Sequence, residues 1–197
     1  DGFSAIAHLS NNTLCHIKPD ESFKPTLVGP FPETEKIISI VPYRKTHLVL
    51  VIDGEVPQLR IIDKDNFNVK KSINIEKHNT AIQYALSSQE LGVVVFRADG
   101  FWTRYNNILS SSSESLNGQS VFNASGKASP SLFVHLNGPY LCTSCEDCVK
   151  IFDLKFDAEL QRIDVNANQA VLFESNVVAV YDNEVHFSDW KGLKKTT

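Results

Sequence analysis

Five times along this chain an apolar, largely β-branched run meets a short corner of Asn, Asp or Gly and gives way to a second strand-like run, and that recurrence constrains the fold more than any other feature. The first pair is Ser4–Leu9 and Thr13–Ile17, cornering at Asn11-Asn12. The second joins Leu48–Ile52 to Leu59–Asp63 through Asp53-Gly54, and the third joins Leu91–Phe96 to Phe101–Tyr105 through Asp99-Gly100. The fourth runs from Pro139–Cys142 past Glu146-Asp147 into Val149–Asp153, and the fifth from Val177–Tyr181 through Asp182-Asn183 into Val185–Trp190. Asn, Asp and Gly suit these corners because a tight hairpin turn requires positive φ, which they adopt at least cost. No window of about 12 residues carries the i, i+3, i+4, i+7 apolar spacing of an amphipathic helix, so the chain reads as all-β.

Corner-to-corner spacings are roughly 42, 46, 47 and 36 residues, in the range of a four-stranded propeller blade. The first run of each pair is apolar at nearly every position, which requires cover on both faces. A blade sandwiched between two others receives that cover. An immunoglobulin-type sandwich would instead show alternation, with turns every 8 to 12 residues or about that. The expected architecture is a partial β-propeller of about five blades, built from four-stranded antiparallel sheets over residues 1–197, with blade hairpins near 4–17, 48–63, 91–105, 139–154 and 177–190. Residues 108–130, with Ser110–Ser113 and a high Ser, Asn and Gly content, depart from the repeat and read as a mobile loop insertion. The stretch Lys18–Pro32 holds Pro19, Pro25, Pro30 and Pro32, which interrupt ladder bonding and point to an edge strand or loop crossing.

The segment Leu141-Cys142-Thr143-Ser144-Cys145-Glu146-Asp147-Cys148-Val149-Lys150-Ile151-Phe152-Asp153-Leu154 resembles the central hairpin of a WD40 repeat, with Phe152-Asp153 where that family has its Trp-Asp pair. Ile62-Asp63 keeps only the Asp, and none of the five units carries the family's Gly-His pair. The resemblance implies a divergent WD40-like propeller, of the kind found as subunits of large eukaryotic assemblies. Such rings usually hold about seven blades of about 40 residues. With five units here, further sequence or another chain would complete a ring. The absence of any Met and the opening in mid-pattern at Asp1-Gly2-Phe3 read as an excerpt of something longer.

At 197 residues the chain can bury a sizeable core without metal or disulfide staples. Its 42% hydrophobic and 21% charged residues exclude disorder and collagen. Apolar runs such as Leu48–Ile52 are far shorter than the roughly 20 residues of a membrane-spanning helix, so no membrane insertion is expected. A formal charge of -4, with Lys191–Lys195 as the one basic block, lacks the clustered cations of a nucleic-acid footprint, and no nucleic acid is expected.

Chemistry-bearing patterns are sparse. Cys142-x-x-Cys145-x-x-Cys148 has the spacing of a thiolate knuckle, which Cys15 or a histidine could complete, but a second knuckle is missing and the three fall on the WD40-like hairpin. Structural cysteine is the favoured reading, with no metal expected. The six histidines show no ligand spacing, no G-x-S-x-G elbow marks a nucleophile, and no Gly-rich loop cradles phosphate, so no catalytic residue and no cofactor is assigned. Asp153 and Asp157 suit turn chemistry better than acid–base work. The remaining candidates are Trp102 and Arg104, which share one side of a strand and belong to residue types enriched in interface anchors, unless Trp102 is blade core.

The reading is a non-catalytic protein–protein interaction scaffold, a propeller subunit of a larger assembly, not an enzyme, with other protein subunits as partners and a cytoplasmic or nuclear location. The alternative is a secreted or luminal receptor or sensor domain binding a ligand through a propeller face. The sequons at Asn11 and Asn123 would then carry glycans.

Overall fold

A computed structural model describes residues 5–17, 25–110, 114–118, 133–144, 147–173, 176–181 and 183–190. The described residues form eighteen strands and no helix. Backbone contacts divide the chain into two compact units, Asp1–Asn79 and Thr80–Thr197.

The first unit contains two antiparallel sheets. One is β1 (Ala5–Leu9), β2 (Thr13–Ile17) and β3 (Pro25–Val28), in that order. The other is β4 (Lys36–Tyr43), β5 (His47–Asp53), β6 (Gln58–Asp63) and β7 (Val69–Asn74), again in sequence order. Their facing sides share a core of Leu14, Ile37, Leu48, Leu50, Ile52 and Ile62. Burying each such side chain contributes about 1.5 to 3 kcal/mol. Asn12, at φ 57°, ties the two sheets together: its Nδ2 donates to the carbonyls of Pro32 at 3.0 Å and Glu35 at 2.8 Å. Glu35 in turn receives both arms of the Arg60 guanidinium, at 2.8 and 2.7 Å, the bidentate geometry that makes such a pair directional.

The second unit contains three sheets. The first is β8 (Ile82–Ser88), β9 (Gly92–Arg97), β10 (Trp102–Asn106) and β11 (Glu114–Gly118); the second is β12 (Phe133–Asn137), β13 (Tyr140–Ser144), β14 (Val149–Asp153) and β15 (Ala158–Ile163). The third has three strands, β16 (Gln169–Phe173), β17 (Asn176–Tyr181) and β18 (Glu184–Asp189). Leu91, Val94, Phe96 and Trp102 pack with Leu141 and Leu154, while Cys142, Val149 and Ile151 pack with Ala170, Leu172, Val177, Ala179 and Trp190.

The repeat is written in the backbone as well as in the spacing. Register shifts fall at Ile37/Ser39 and Ile82/Tyr84, between the first two strands of two successive sheets. They fall again at Ile61/Ile62 and Ile151/Phe152, each just before a strand-ending aspartate. Those aspartates do turn chemistry: Asp63 Oδ1 accepts the Asp65 N–H at 2.9 Å and Asp153 Oδ1 the Lys155 N–H at 2.8 Å. Four residues after each aspartate the chain turns through positive φ, at Phe67 (60°) and Asp157 (51°).

Several expectations are corrected. The two outermost sheets in sequence have three strands rather than four among the described residues. Cover on both faces holds for β5 and β9, whose apolar residues are buried throughout, but fails for β1, where no residue is fully buried, and for β17, where only Val177 and Ala179 are. Within the segment 108–130, read as a loop insertion, residues 114–118 form an edge strand that pairs Trp102 with Gly118 and Asn106 with Glu114. The backbone of β10 offers a ladder to any adjoining segment, whatever its side-chain propensity. Gly54 is not a positive-φ corner. Its requirement is room, because a Cβ there would stand 2.8 Å from the Thr34 carbonyl oxygen.

Candidate protein-interaction site

The structure sets Trp102 in the core between β8–β11 and β12–β15, 1% exposed, and leaves Arg104 half-buried on the same side of β10. Trp102 lies opposite Phe96 and Arg104 opposite Val94. The other side of the strand is equally covered, with Thr103 and Tyr105 buried. A partner would reach the indole only by parting the two sheets.

The thiols divide in the same way. Cys142 and Cys148 are buried, Cys142 within the apolar core, and Cys145 lies outside the described residues. The Cys148 thiol donates to Asp147 and, more than the neighbouring Arg162, lowers that carboxyl below its ordinary range. Among the described residues no group of three His, Cys, Asp or Glu is placed to hold a metal ion.

Exposed apolar side chains concentrate on the sheet β16–β18. Ala170, Leu172, Val177 and Ala179 point to the core, so strand alternation sends Val171, Phe173, Val178 and Val180 the other way. Pairing adds Val185 opposite Val180 and Phe187 opposite Val178. Phe187 is 71% exposed, Phe173 62% and Val185 58%, so this face carries an exposed apolar patch, with Gln169, Asn176 and Asp189 at its ends. A lesser patch on β1–β3 lines up Ala7, Cys15 and Leu27 across the ladder.

Beside Phe173 the turns of the second unit enclose a pocket. Its wall comes from Asn137 and the Gly138-Pro139 turn between β12 and β13, and Glu90, Tyr140, Phe173 and Trp190 complete the lining. Gly138 is needed there: its φ is +58°, and a Cβ would stand 3.2 Å from Glu90 Oε1. Tyr140 meets Trp190 edge to face, with ring centroids 4.8 Å apart. The far wall is held by two bonds from β12 to β16: the Leu172 N–H donates to His135 Nδ1 at 3.1 Å, and Asn137 Nδ2 donates to the Leu172 carbonyl at 3.4 Å.

Burial lowers the His135 pKa below the ordinary histidine value. The folded state therefore resists a proton that the unfolded chain accepts, so this contribution to stability is complete above the ordinary histidine range and is lost as pH falls through the lowered value. Protonation would also cost the Leu172 N–H its acceptor. The unfolding free energy should fall as pH drops from neutral through the ordinary histidine range, and His135→Asn should flatten that slope in denaturant titrations.

Glu90, Tyr140, Phe173 and Trp190 were not singled out by the sequence. They come from four separated points of the chain, and no motif in it points to their convergence.

No protein-family model matches the chain, and no curated protein matches it. Among solved structures it is similar to the β-propeller domain of Myceliophteria thermophila Cps50 (Swd1), with TM-score 0.66 at 12% identity over 88% of this chain and 61% of that one. The WD40 domain of Neurospora crassa Pan2 matches with TM-score 0.63 at 11% identity, over 94% of this chain and 60% of that one. The fold is that of a divergent WD40-like β-propeller. A third match, YCF48 bound to D1 peptide, has TM-score 0.65 at 10% identity, over 96% of this chain and 60% of that one. The chain thus spans about 60% of the length of these structures. At such identities the likeness is one of fold.

Proposed function

We propose that this propeller is a non-catalytic protein–protein interaction scaffold, a subunit of a larger multi-protein assembly in the cytoplasm or nucleus. The observation that carries the reading is the open apolar face of β16–β18, where Phe173, Val185 and Phe187 stand in solvent. Patches of this kind on a folded domain mark interaction surfaces. The structural likeness to YCF48, seen with a bound peptide, supports the same use of the fold. No helix among the described residues is long and apolar enough to cross a membrane.

The test is purification of the intact protein from its own cells. Wild type is expected to bring down partner subunits in fixed stoichiometry, and Phe187→Asp, whose side chain touches solvent already, should lose them while keeping its far-ultraviolet spectrum. Wild type that purifies alone, or a variant that keeps every partner, would overturn the reading.

A further inference from the structure

We propose that the pocket lined by Glu90, Tyr140, Phe173 and Trp190 is a binding site for an arginine side chain of a partner protein. The inference rests on the scaffold reading and names the chemistry of one partner contact. Three aromatic residues and one carboxylate line a single concavity, bounded by the Gly138-Pro139 turn. Aromatic faces attract cations through the ring quadrupole, and a guanidinium, being planar and weakly hydrated, stacks on them better than an ammonium does. Glu90 is exposed and lies beside Gly138, where its carboxylate supplies the opposite charge and two oxygens able to accept from a guanidinium.

The site is built rather than incidental. Tyr140 is braced edge to face by Trp190, itself buried in the core, so the aromatic floor is set by packing. Phe173 closes one side at the end of β16, a strand clamped to β12 through His135 and Asn137. Gly138 leaves the space that Glu90 uses. Phe173 also belongs to the apolar face of β16–β18, so a partner docked on that face would reach the pocket with a neighbouring basic residue.

The experiment is a nuclear magnetic resonance titration of the chain with acetyl-arginine amide and with its neutral isostere acetyl-citrulline amide. Arginine should give saturable shifts at the Trp190 indole and the Gly138 amide, weakening as salt rises. Citrulline should bind about tenfold more weakly, and Glu90→Gln and Phe173→Ala, both at exposed positions, should each lose about tenfold for arginine. Equal binding of citrulline, unchanged affinity in Glu90→Gln, or no saturable shift at these two probes would overturn the assignment. Loss of the arginine site with partner capture intact would sink the pocket alone. Saturable arginine binding by a protein that purifies without partners would uphold the pocket and sink the scaffold.

Discussion

Trp102→Ala is expected to remove about 3 to 5 kcal/mol from the stability of the second unit. The indole is 1% exposed and fills the space bounded by Leu91, Val94, Phe96, Leu141 and Leu154, side chains contributed by two different sheets. Truncation forfeits those contacts and leaves a void that the flanking strands cannot close, because both are fixed by their own ladders. Among the described residues Trp102 Nε1 has no hydrogen-bond partner. The loss is therefore one of packing, with no polar group orphaned across the gap. Against a total of about 5 to 15 kcal/mol for a typical domain, a change of this size shifts the urea midpoint strongly. Arg104→Ala is the control: half-buried, with Nε likewise without a hydrogen bond, it should cost less than about 1 kcal/mol. Unfolding followed by circular dichroism, since one of the two tryptophans is itself removed, decides between core and contact. A Trp102→Ala protein with an unchanged midpoint but no partner capture would return this indole to the interaction surface.

How far the sequence could be read follows from what each feature depends on. Hairpins depend on neighbours in the chain, and β5–β6, β9–β10 and β13–β14 are formed by the runs that the alternation of apolar segments and corners marks. Trp102 and Arg104 could be set on one side of a strand by counting, but which side meets another sheet is a tertiary fact, and strand β9 was apolar on both sides. The aromatic pocket lay further out of reach. Tyr140, Phe173 and Trp190 converge only after three strand pairs have been set in register. Gly54 shows the limit in miniature: the Asp-Gly dipeptide signals a turn, yet whether its glycine serves φ or clearance is settled by Thr34, twenty residues upstream.

That distinction ranks three glycine substitutions. Gly100 has φ +82°, so Gly100→Ala bears the backbone strain of that conformation, about 1 to 2 kcal/mol. Gly54→Ala carries no such strain but brings its Cβ to 2.8 Å from the Thr34 carbonyl oxygen, a backbone atom that moves only with its loop. Gly92→Ala combines both penalties. Its φ is +78°, and its Cβ would drive into the carbonyl oxygen of Tyr105 on β10, with the Asn106 Cα 3.4 Å away. Relief would require β9 and β10 to separate where Val93 pairs with Tyr105, beside a ladder that carries Val94, Phe96 and Trp102 into the core. Strain and overpacking together set the loss at about 4 kcal/mol. Denaturant titration should therefore order the variants with Gly92→Ala well below Gly100→Ala, although both residues start at positive φ. Equal midpoints for the two would mean that β10 yields freely to β9, and with it the argument that Trp102 sits in a wall too rigid to collapse would fail.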